Sequence, residues 1–255
     1  MENATDYPVI LFLLSFFVLS LSALTGASFL TKQRKLDKEV REDFNIIMSA
    51  TLTLLGLIIG FSFSMAMNRY DQRKNCEAAE TNAIGTEYVR AGLLPASDGE
   101  KVRTLLRDYL DQRVLFYTTH DEQRTRQIIT RTSQLQNELW SAVLAPVATQ
   151  PTPTAALAVS GMNDVLNSQA YTQAAWWNRI PLEAWVLMAA IAICCNVLLG
   201  YGAQKVKTEG ILLLILPLVV AIAFFLIADI DSTGGGVILV SPHNLASLAE
   251  SLRAH

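Results

Sequence analysis

The sequence has few of the residues from which enzymes and disulfide-bonded domains build their sites. It contains three cysteines and three histidines among 255 residues, and none stands at the spacing of a metal site or a disulfide framework. Cys194 and Cys195 lie inside an apolar run, where a thiol behaves as a small hydrophobic side chain. No phosphate loop or nucleophile elbow is present. We therefore expect neither an enzyme nor a bound metal or cofactor.

The chain also has no excess of positive charge. The formal net charge is -3, which gives no indication of a nucleic-acid partner. The hydrophobic blocks of the chain carry no acidic or basic residue deep inside them. Proton-relay pumps and ion-coupled transporters depend on such intramembrane charges, so their absence favours a passive pore or a protein with no transport role.

Long apolar runs are what the sequence does have. Hydrophobic residues make up 51% of the chain, and the mean hydropathy is +0.31. They are concentrated in four blocks, at residues 8–30, 44–67, 180–203 and 210–228. About 20 apolar residues are enough for a helix to cross a bilayer, and the backbone must satisfy its own hydrogen bonds there. We predict an all-α membrane protein with four transmembrane helices.

Between the second and third blocks, residues 69–179 have nearly balanced charge and helical periodicity. We predict an inserted helical soluble domain there, with helices at residues 69–94, 100–118, 121–144 and 155–176. Ser97 or Asp98 is the expected cap of the second of these. The domain boundaries we predict are residues 1–68, 69–179, 180–228 and 229–255.

The tail after the fourth block contains Asp229 and Asp231, a glycine run, a short β-like segment at residues 237–240, and a last helix. The two aspartates suit turn formation and helix capping, and acids beside a membrane could also bind a cation. The sequence alone favours the first interpretation.

Lysine and arginine predict the orientation. The loops after the first and third blocks lie on one side of the membrane, and they contain Lys32, Arg34, Lys35, Lys38, Arg41, Lys205 and Lys207. The positive-inside rule places these loops in the cytoplasm. The soluble domain and both termini would then be extracytoplasmic.

The second block has two notable faces. Thr53, Leu57 and Phe61 are spaced by four residues and share one side of a helix. A ring of such residues around a symmetry axis would form a hydrophobic constriction. Gly56 and Gly60 form a small-xxx-small pair, which allows close helix packing. Ordinary packing of both faces is the alternative, and periodicity by itself favours it.

Charged residues follow this block directly. Arg69, Asp71 and Arg73 are candidates for charges at a pore mouth, where they would attract ions, or for interfacial anchors. Further along, Glu80 and Glu87 are seven residues apart and share a face. Together with Glu77 they are candidates either for vestibule charges or for partners of Arg73 and Arg90, which the sequence does not separate.

Residues 54–64 and 68–75 resemble the second transmembrane segment of bacterial bestrophins. In those proteins a Gly-Phe pair, here Gly60 and Phe61, is followed eight residues beyond the Phe by an arginine and an aromatic residue, here Arg69 and Tyr70. Most of the chain resembles a bacterial bestrophin-like family. The shared features are Arg69-Tyr70-Asp71, Asn82-Ala83-Ile84-Gly85, Leu93-Leu94-Pro95, Asp229-Ile230-Asp231 and Gly236-Val237-Ile238-Leu239-Val240.

This resemblance implies a pentameric ion channel, a homo-oligomer of the bacterial inner membrane that contacts lipid and small inorganic ions. In bestrophins the second helix lines the pore, and apolar side chains four residues apart form a narrow neck. Carried over by position, the neck residues are Thr53, Leu57 and Phe61. Thr53 departs from the apolar pattern. Ser64 is a further candidate for lining the pore.

The resemblance leaves two alternatives open. Bestrophins hold the domain between helices two and three in the cytoplasm, whereas the loop charges of this chain indicate the opposite side. The second alternative concerns function: the chain could be a membrane-anchored scaffold or sensor whose helical domain binds a partner.

Overall fold

The computed structural model describes residues 7–30, 38–119, 121–149, 151–203 and 211–254. Within these ranges the chain forms eight α-helices and no strand. The helices are α1 (Pro8–Thr25), α2 (Lys38–Arg90), α3 (Ala96–Thr118), α4 (Glu122–Thr149), α5 (Pro153–Trp177), α6 (Leu182–Gly202), α7 (Leu212–Asp231) and α8 (His243–Arg253). A π-helical turn, Gly26–Leu30, extends α1, and a 3-10 turn, Ala91–Leu93, ends α2.

Four helices of the described chain are long and apolar enough to cross a membrane. These helices are Pro8–Ser28, Arg41–Leu93, Pro153–Gly202 and Leu212–Asp231. The second and third are longer than a membrane crossing, and their apolar stretches are residues 44–67 and 180–203. The prediction of an all-α protein with four membrane helices is confirmed as far as helix length and composition are concerned. Most of the loop charges behind the predicted orientation lie outside the described residues, namely Lys32, Arg34, Lys35, Lys205 and Lys207.

The chain divides into two compact units. The first contains the described residues up to Arg69 and Arg179–Leu239. Within it, α1 packs against α6 and α7. Two glycines allow the backbones of α1 and α6 to approach closely. A Cβ on Gly200 would lie 2.8 Å from the Ala27 amide nitrogen, and one on Gly26 would lie 3.1 Å from the Tyr201 amide nitrogen. Small residues permit such contacts between membrane helices.

The second unit contains Tyr70–Asn178 and the described residues from Val240 onward. It is a helical bundle in which α3 packs against α4 and α8, and α4 packs against α5. This core includes an apolar stripe of α3, which is formed by Val102, Leu106, Tyr109 and Leu110. The fully or almost fully buried residues of the whole core include Val102, Leu106, Tyr109, Leu110, Leu135, Leu139, Val143, Met162, Val165 and Leu245.

The start of α3 differs from the prediction. The helix begins at Ala96 directly after Pro95, and no side chain caps it. The prediction that Ser97 or Asp98 is the cap is therefore wrong. Pro95 holds a φ of -51°, close to helical values, and its carbonyl accepts a hydrogen bond of 2.8 Å from the Gly99 amide. Proline therefore starts this helix without needing a side-chain cap.

The predicted β-like segment at residues 237–240 is also wrong, because these residues form a bent connection without strand pairing. The Val237 and Ile238 amides donate to the Asp229 carboxylate, at 2.7 and 2.9 Å, instead of to a neighbouring strand. The Asp231 carboxylate accepts from the Ile180 amide at 3.2 Å. Both aspartates are buried in the last turn of α7. Their oxygens bind backbone amides, as the turn interpretation expects.

Candidate pore helix

Helix α2 runs without a break for 53 residues, from Lys38 to Arg90. Residues 44–67 of this helix carry no charge, and its charged residues lie before Phe44 and from Arg69 onward. No proline interrupts it. The hydroxyl of Thr51 donates to the Ile47 carbonyl at 2.7 Å, and that of Thr53 donates to the Ser49 carbonyl at 2.8 Å. These bonds satisfy the hydroxyls within the helix, which is how a threonine is accommodated in an apolar environment.

One face of the apolar half is uncovered. Thr53, Leu57, Phe61 and Ser64 are all exposed, with Leu57 53% and Phe61 62% accessible. Leu55, Ser62 and Ala66 lie on another side of the helix and are buried. The four predicted pore residues therefore lie on a surface that the rest of this chain leaves open. Large exposed apolar side chains of this kind face lipid, a pore or another copy of the chain.

The glycine pair lies on the open surface as well. Gly56 and Gly60 are both exposed, and a Cβ on either would have no atom of its surroundings within 4 Å. The close helix packing predicted for this pair does not occur within the described chain. Packing against a neighbouring copy stays a prediction.

The predicted mouth charges differ in their surroundings. Asp71 is exposed, Arg69 is half-buried, and Arg73 is 3% exposed. Arg69 and Arg73 both have interaction partners. Of the three, Asp71 is the residue whose side chain is open to solvent in this chain.

Glu77, Glu80 and Glu87 are all buried, and each has different surroundings. Glu77 binds the start of the C-terminal helix α8. Its carboxylate accepts from the Leu245 amide at 2.9 Å and from Asn244 Nδ2 at 2.7 Å. A carboxylate at this position satisfies unpaired amide groups and complements the positive end of the helix dipole. Glu77 is therefore a capping residue for α8.

Glu80 forms a buried ion pair with Arg113 of α3. Arg113 Nη2 lies 3.3 Å from Glu80 Oε2, and the Nε donates to Oε1. The Thr172 hydroxyl of α5 donates to Oε2 at 3.0 Å. The Arg113 guanidinium also lies 4.6 Å from the centre of the Phe116 ring. This network joins α2, α3 and α5, so the Glu80 carboxylate is paired inside the bundle and does not face an open vestibule.

Arg113 was not predicted as a site residue, although its spacing contains a signal. Arg113 follows Tyr109 by four residues and Leu110 by three, so it lies on the apolar stripe of α3. Charged residues are almost never fully buried unless they are paired. An arginine on a predicted core face therefore indicates an acidic partner in the core.

Glu87 is fully buried, and neither oxygen of its carboxyl group has a hydrogen-bond partner among the described residues. Burial raises its pKa to about 8. The nearby Arg90 guanidinium opposes that rise, and Asp164 adds to it. Arg90 pairs with Asp164 of α5 at 3.8 Å. The pairing of Arg90 with Glu87, which the sequence left as one alternative, is thus replaced by a pairing across two helices.

A family model described as the Bestrophin-like domain matches residues 13–245. The chain belongs to the bestrophin-like family. This confirms the resemblance found in the sequence, and together with the four apolar helices it makes the chain a bestrophin-like membrane protein.

Solved structures agree with this assignment. A tryptophan-to-alanine variant of a bacterial bestrophin homolog from Klebsiella pneumoniae is 11% identical, with 100% of this chain and 97% of that chain covered and a TM-score of 0.65. A leucine-to-threonine variant of the homolog gives 12% identity, 97% and 98% coverage, and a TM-score of 0.65. A further structure of the Klebsiella pneumoniae homolog is 12% identical, with 96% of this chain and 97% of that chain covered and a TM-score of 0.64.

At such low identity the likeness shows the fold of this bestrophin-like protein and nothing finer. No curated protein sequence matches the chain. The roles of individual residues therefore depend on their surroundings in this chain.

Proposed function

We propose that this bestrophin-like protein is a passive ion channel, assembled as a homopentamer around a central pore lined by α2. The supporting observation is the open face of α2, where Thr53, Leu57, Phe61 and Ser64 are exposed in the first unit. A soluble domain would bury such a face in its own core. In a membrane, this face requires lipid, a pore or a second copy.

The same residues suggest a mechanism. Leu57 and Phe61 lie one helical turn apart, so five copies of each would form two stacked apolar rings. An ion passing such rings must shed part of its hydration shell, and a narrow apolar ring can also close a pore by dewetting. The hydroxyls of Thr53 and Ser64 would lie on either side of the rings. Asp71 would lie beyond them, where an exposed charge adjusts local ion concentration.

Assembly is part of this proposal. One α2 helix cannot enclose a pore, and the Gly56 and Gly60 surface has space for a second helix. Close packing between copies along this small-residue surface would place the α2 helices around one axis. The pentamer itself comes from the bestrophins that the sequence resembles.

The test is a recording from the purified protein in a planar bilayer under a salt gradient, with its mass in detergent measured in parallel. We expect discrete conductance steps, a reversal potential away from zero and the mass of five chains. If a folded oligomer passes no current across the bilayer, the channel proposal fails. A membrane-anchored scaffold or sensor would then become the working hypothesis.

We also propose that residues 69–179, together with the C-terminal helix α8, form a soluble domain on the outer side of the membrane. The supporting observations are the buried apolar core of the second unit and the basic residues of the two short loops. Basic residues near membrane helices remain in the cytoplasm.

The orientation can be measured with reporters at the C-terminus, because α8 belongs to the same compact unit as α3 and α4. We expect a C-terminal alkaline phosphatase fusion to be active in intact cells and a C-terminal green fluorescent protein fusion to be dark. The reverse pattern would place the domain in the cytoplasm, as in the bestrophins that the sequence resembles.

A further inference from the structure

Glu87 is a buried acid without a partner, one turn from a cation that is paired elsewhere. It is 0% exposed, and in the part of the chain that the structure describes neither carboxyl oxygen has a hydrogen-bond donor. An ionised carboxylate in this position would lack both solvent and a hydrogen-bond donor, which is a costly arrangement. The group is therefore stable there in its neutral, protonated form.

Arg90 follows Glu87 by three residues, so the two lie on neighbouring positions of the α2 surface. In the structure Arg90 Nη1 lies 3.8 Å from Asp164 Oδ2 on α5. The side chain of Arg90 is about one third exposed, and that of Asp164 is 62% exposed. A pair this long and this accessible is weak. Arg90 can therefore leave Asp164 at low cost.

The contact with α5 leaves space for this exchange. Glu87 and Arg90 both lie against Gly161, where a Cβ would overlap the Glu87 carboxylate and lie 2.6 Å from Arg90 Nη1. Beside them is a cavity of about 320 Å³. It is lined by Asn82, Ala83, Thr86, Arg90, Gly161 and Asp164.

We propose that Glu87 is a proton-operated switch that controls which acid Arg90 pairs with. While Glu87 is protonated, Arg90 bridges α2 and α5 through Asp164. When Glu87 loses its proton to solvent, the buried carboxylate attracts Arg90, and the bridge between the helices is exchanged for a pair within α2. The contact between α2 and α5 then weakens. The proposal does not depend on ion conduction.

The surroundings of Glu87 support a transition near neutral to mildly alkaline pH. In the described chain, the charged groups that act on its carboxyl are Arg90 on its own helix and Asp164 on α5. Burial is the largest cause of the raised pKa of about 8, and Arg90 lowers it while Asp164 raises it. The folded state therefore keeps a proton that the unfolded chain releases near the ordinary value of 4.5. Stability from this group is fully present below that value and is lost as the pH rises through about 8.

The first experiment is infrared difference spectroscopy of the full-length protein between about pH 6 and about pH 9.5, a range that spans the transition. We expect a protonated-carboxyl band at the lower pH that disappears at the higher pH and is missing in Glu87→Gln. The matched control is Glu138→Gln, which removes an acid on the exposed face of α4. The band should remain in Glu138→Gln. The proposal is wrong if the band also remains in Glu87→Gln, as it does in the unaltered protein.

The second experiment is hydrogen exchange of the α5 amides over the same pH range, corrected for the intrinsic rate. We expect the protection of α5 to fall as Glu87 ionises and to stay constant in Glu87→Gln. Asp164→Asn removes the like charge and the competing partner, so it should lower the midpoint of the infrared transition by roughly one pH unit. This variant retains Glu87, so it tests the switch even if Glu87→Gln does not fold. An unshifted midpoint or pH-independent α5 protection would rule the switch out.

Discussion

Phe61→Ala is expected to increase single-channel conductance several-fold and to weaken discrimination between ions. Phe61 is more exposed than Leu57, with 62% against 53% of its surface accessible in the single chain. Removing its ring widens one apolar constriction and lowers the dehydration barrier. If the barrier falls by about 1 kcal/mol, the conductance rises about fivefold. Single-channel currents in planar bilayers measure this effect directly.

Phe63→Ala is the matched control, because Phe63 is the same residue type in the same turn. Two residues along an α-helix differ by about 200° in direction, so the ring of Phe63 points away from the proposed pore face. We expect it to leave conductance close to that of the unaltered protein. Equal effects of the two substitutions, or no effect of either, would contradict a pore lined by Phe61.

Arg113→Met is expected to cause the largest loss of stability in the second unit. It leaves the Glu80 carboxylate, whose side chain is 0% exposed, without its counter-ion, although the Thr172 hydroxyl still donates to it. Removing one partner of a buried ion pair costs about 3–5 kcal/mol. At about 2–4 °C per kcal/mol for a chain of this size, the melting temperature should fall by roughly 10 °C. Thermal unfolding in detergent measures it.

Two comparisons separate loss of charge pairing from loss of packing. Arg131→Met breaks the exposed pair with Glu138, where 43% and 47% of the side chains are accessible, so its cost should stay below about 1 kcal/mol. The double variant Glu80→Met with Arg113→Met removes both buried charges and should recover much of the stability. A loss from Arg113→Met as small as that from Arg131→Met would show that the pair does not hold the bundle.

The glutamates of α2 illustrate how much of the site the sequence could predict. Their spacing placed Glu80 and Glu87 on one helix face, and the structure buries both. The sequence could not decide their roles, because the partners come from distant parts of the chain. Arg113 lies 33 residues from Glu80, and Leu245 lies 168 residues from Glu77. Helical periodicity reports neighbours within one turn and carries no information about contacts at this separation.

In the C-terminal tail, the sequence predicted a secondary-structure element that the protein does not form. Val237, Ile238 and Val240 have high β-propensity, and this predicted a strand. Propensity is a weak guide where a strand has no partner to pair with. The buried Asp229 carboxylate instead binds two consecutive amides of this segment. A single acidic residue at the end of α7 therefore decided the local backbone.

The sequence by itself determined the membrane character of this protein, its four apolar helices and its family. These features follow from the length of the apolar runs and from local motifs, which do not require knowledge of distant contacts. The tertiary structure decided which face of α2 stays open, which acids are paired, and that Glu87 has no partner. The open face depends on what the helices of the first unit cover, and the pairing of the acids depends on how α3, α5 and α8 pack around α2 in the second unit. Such contacts join residues that are far apart in the chain, so local sequence patterns do not reveal them.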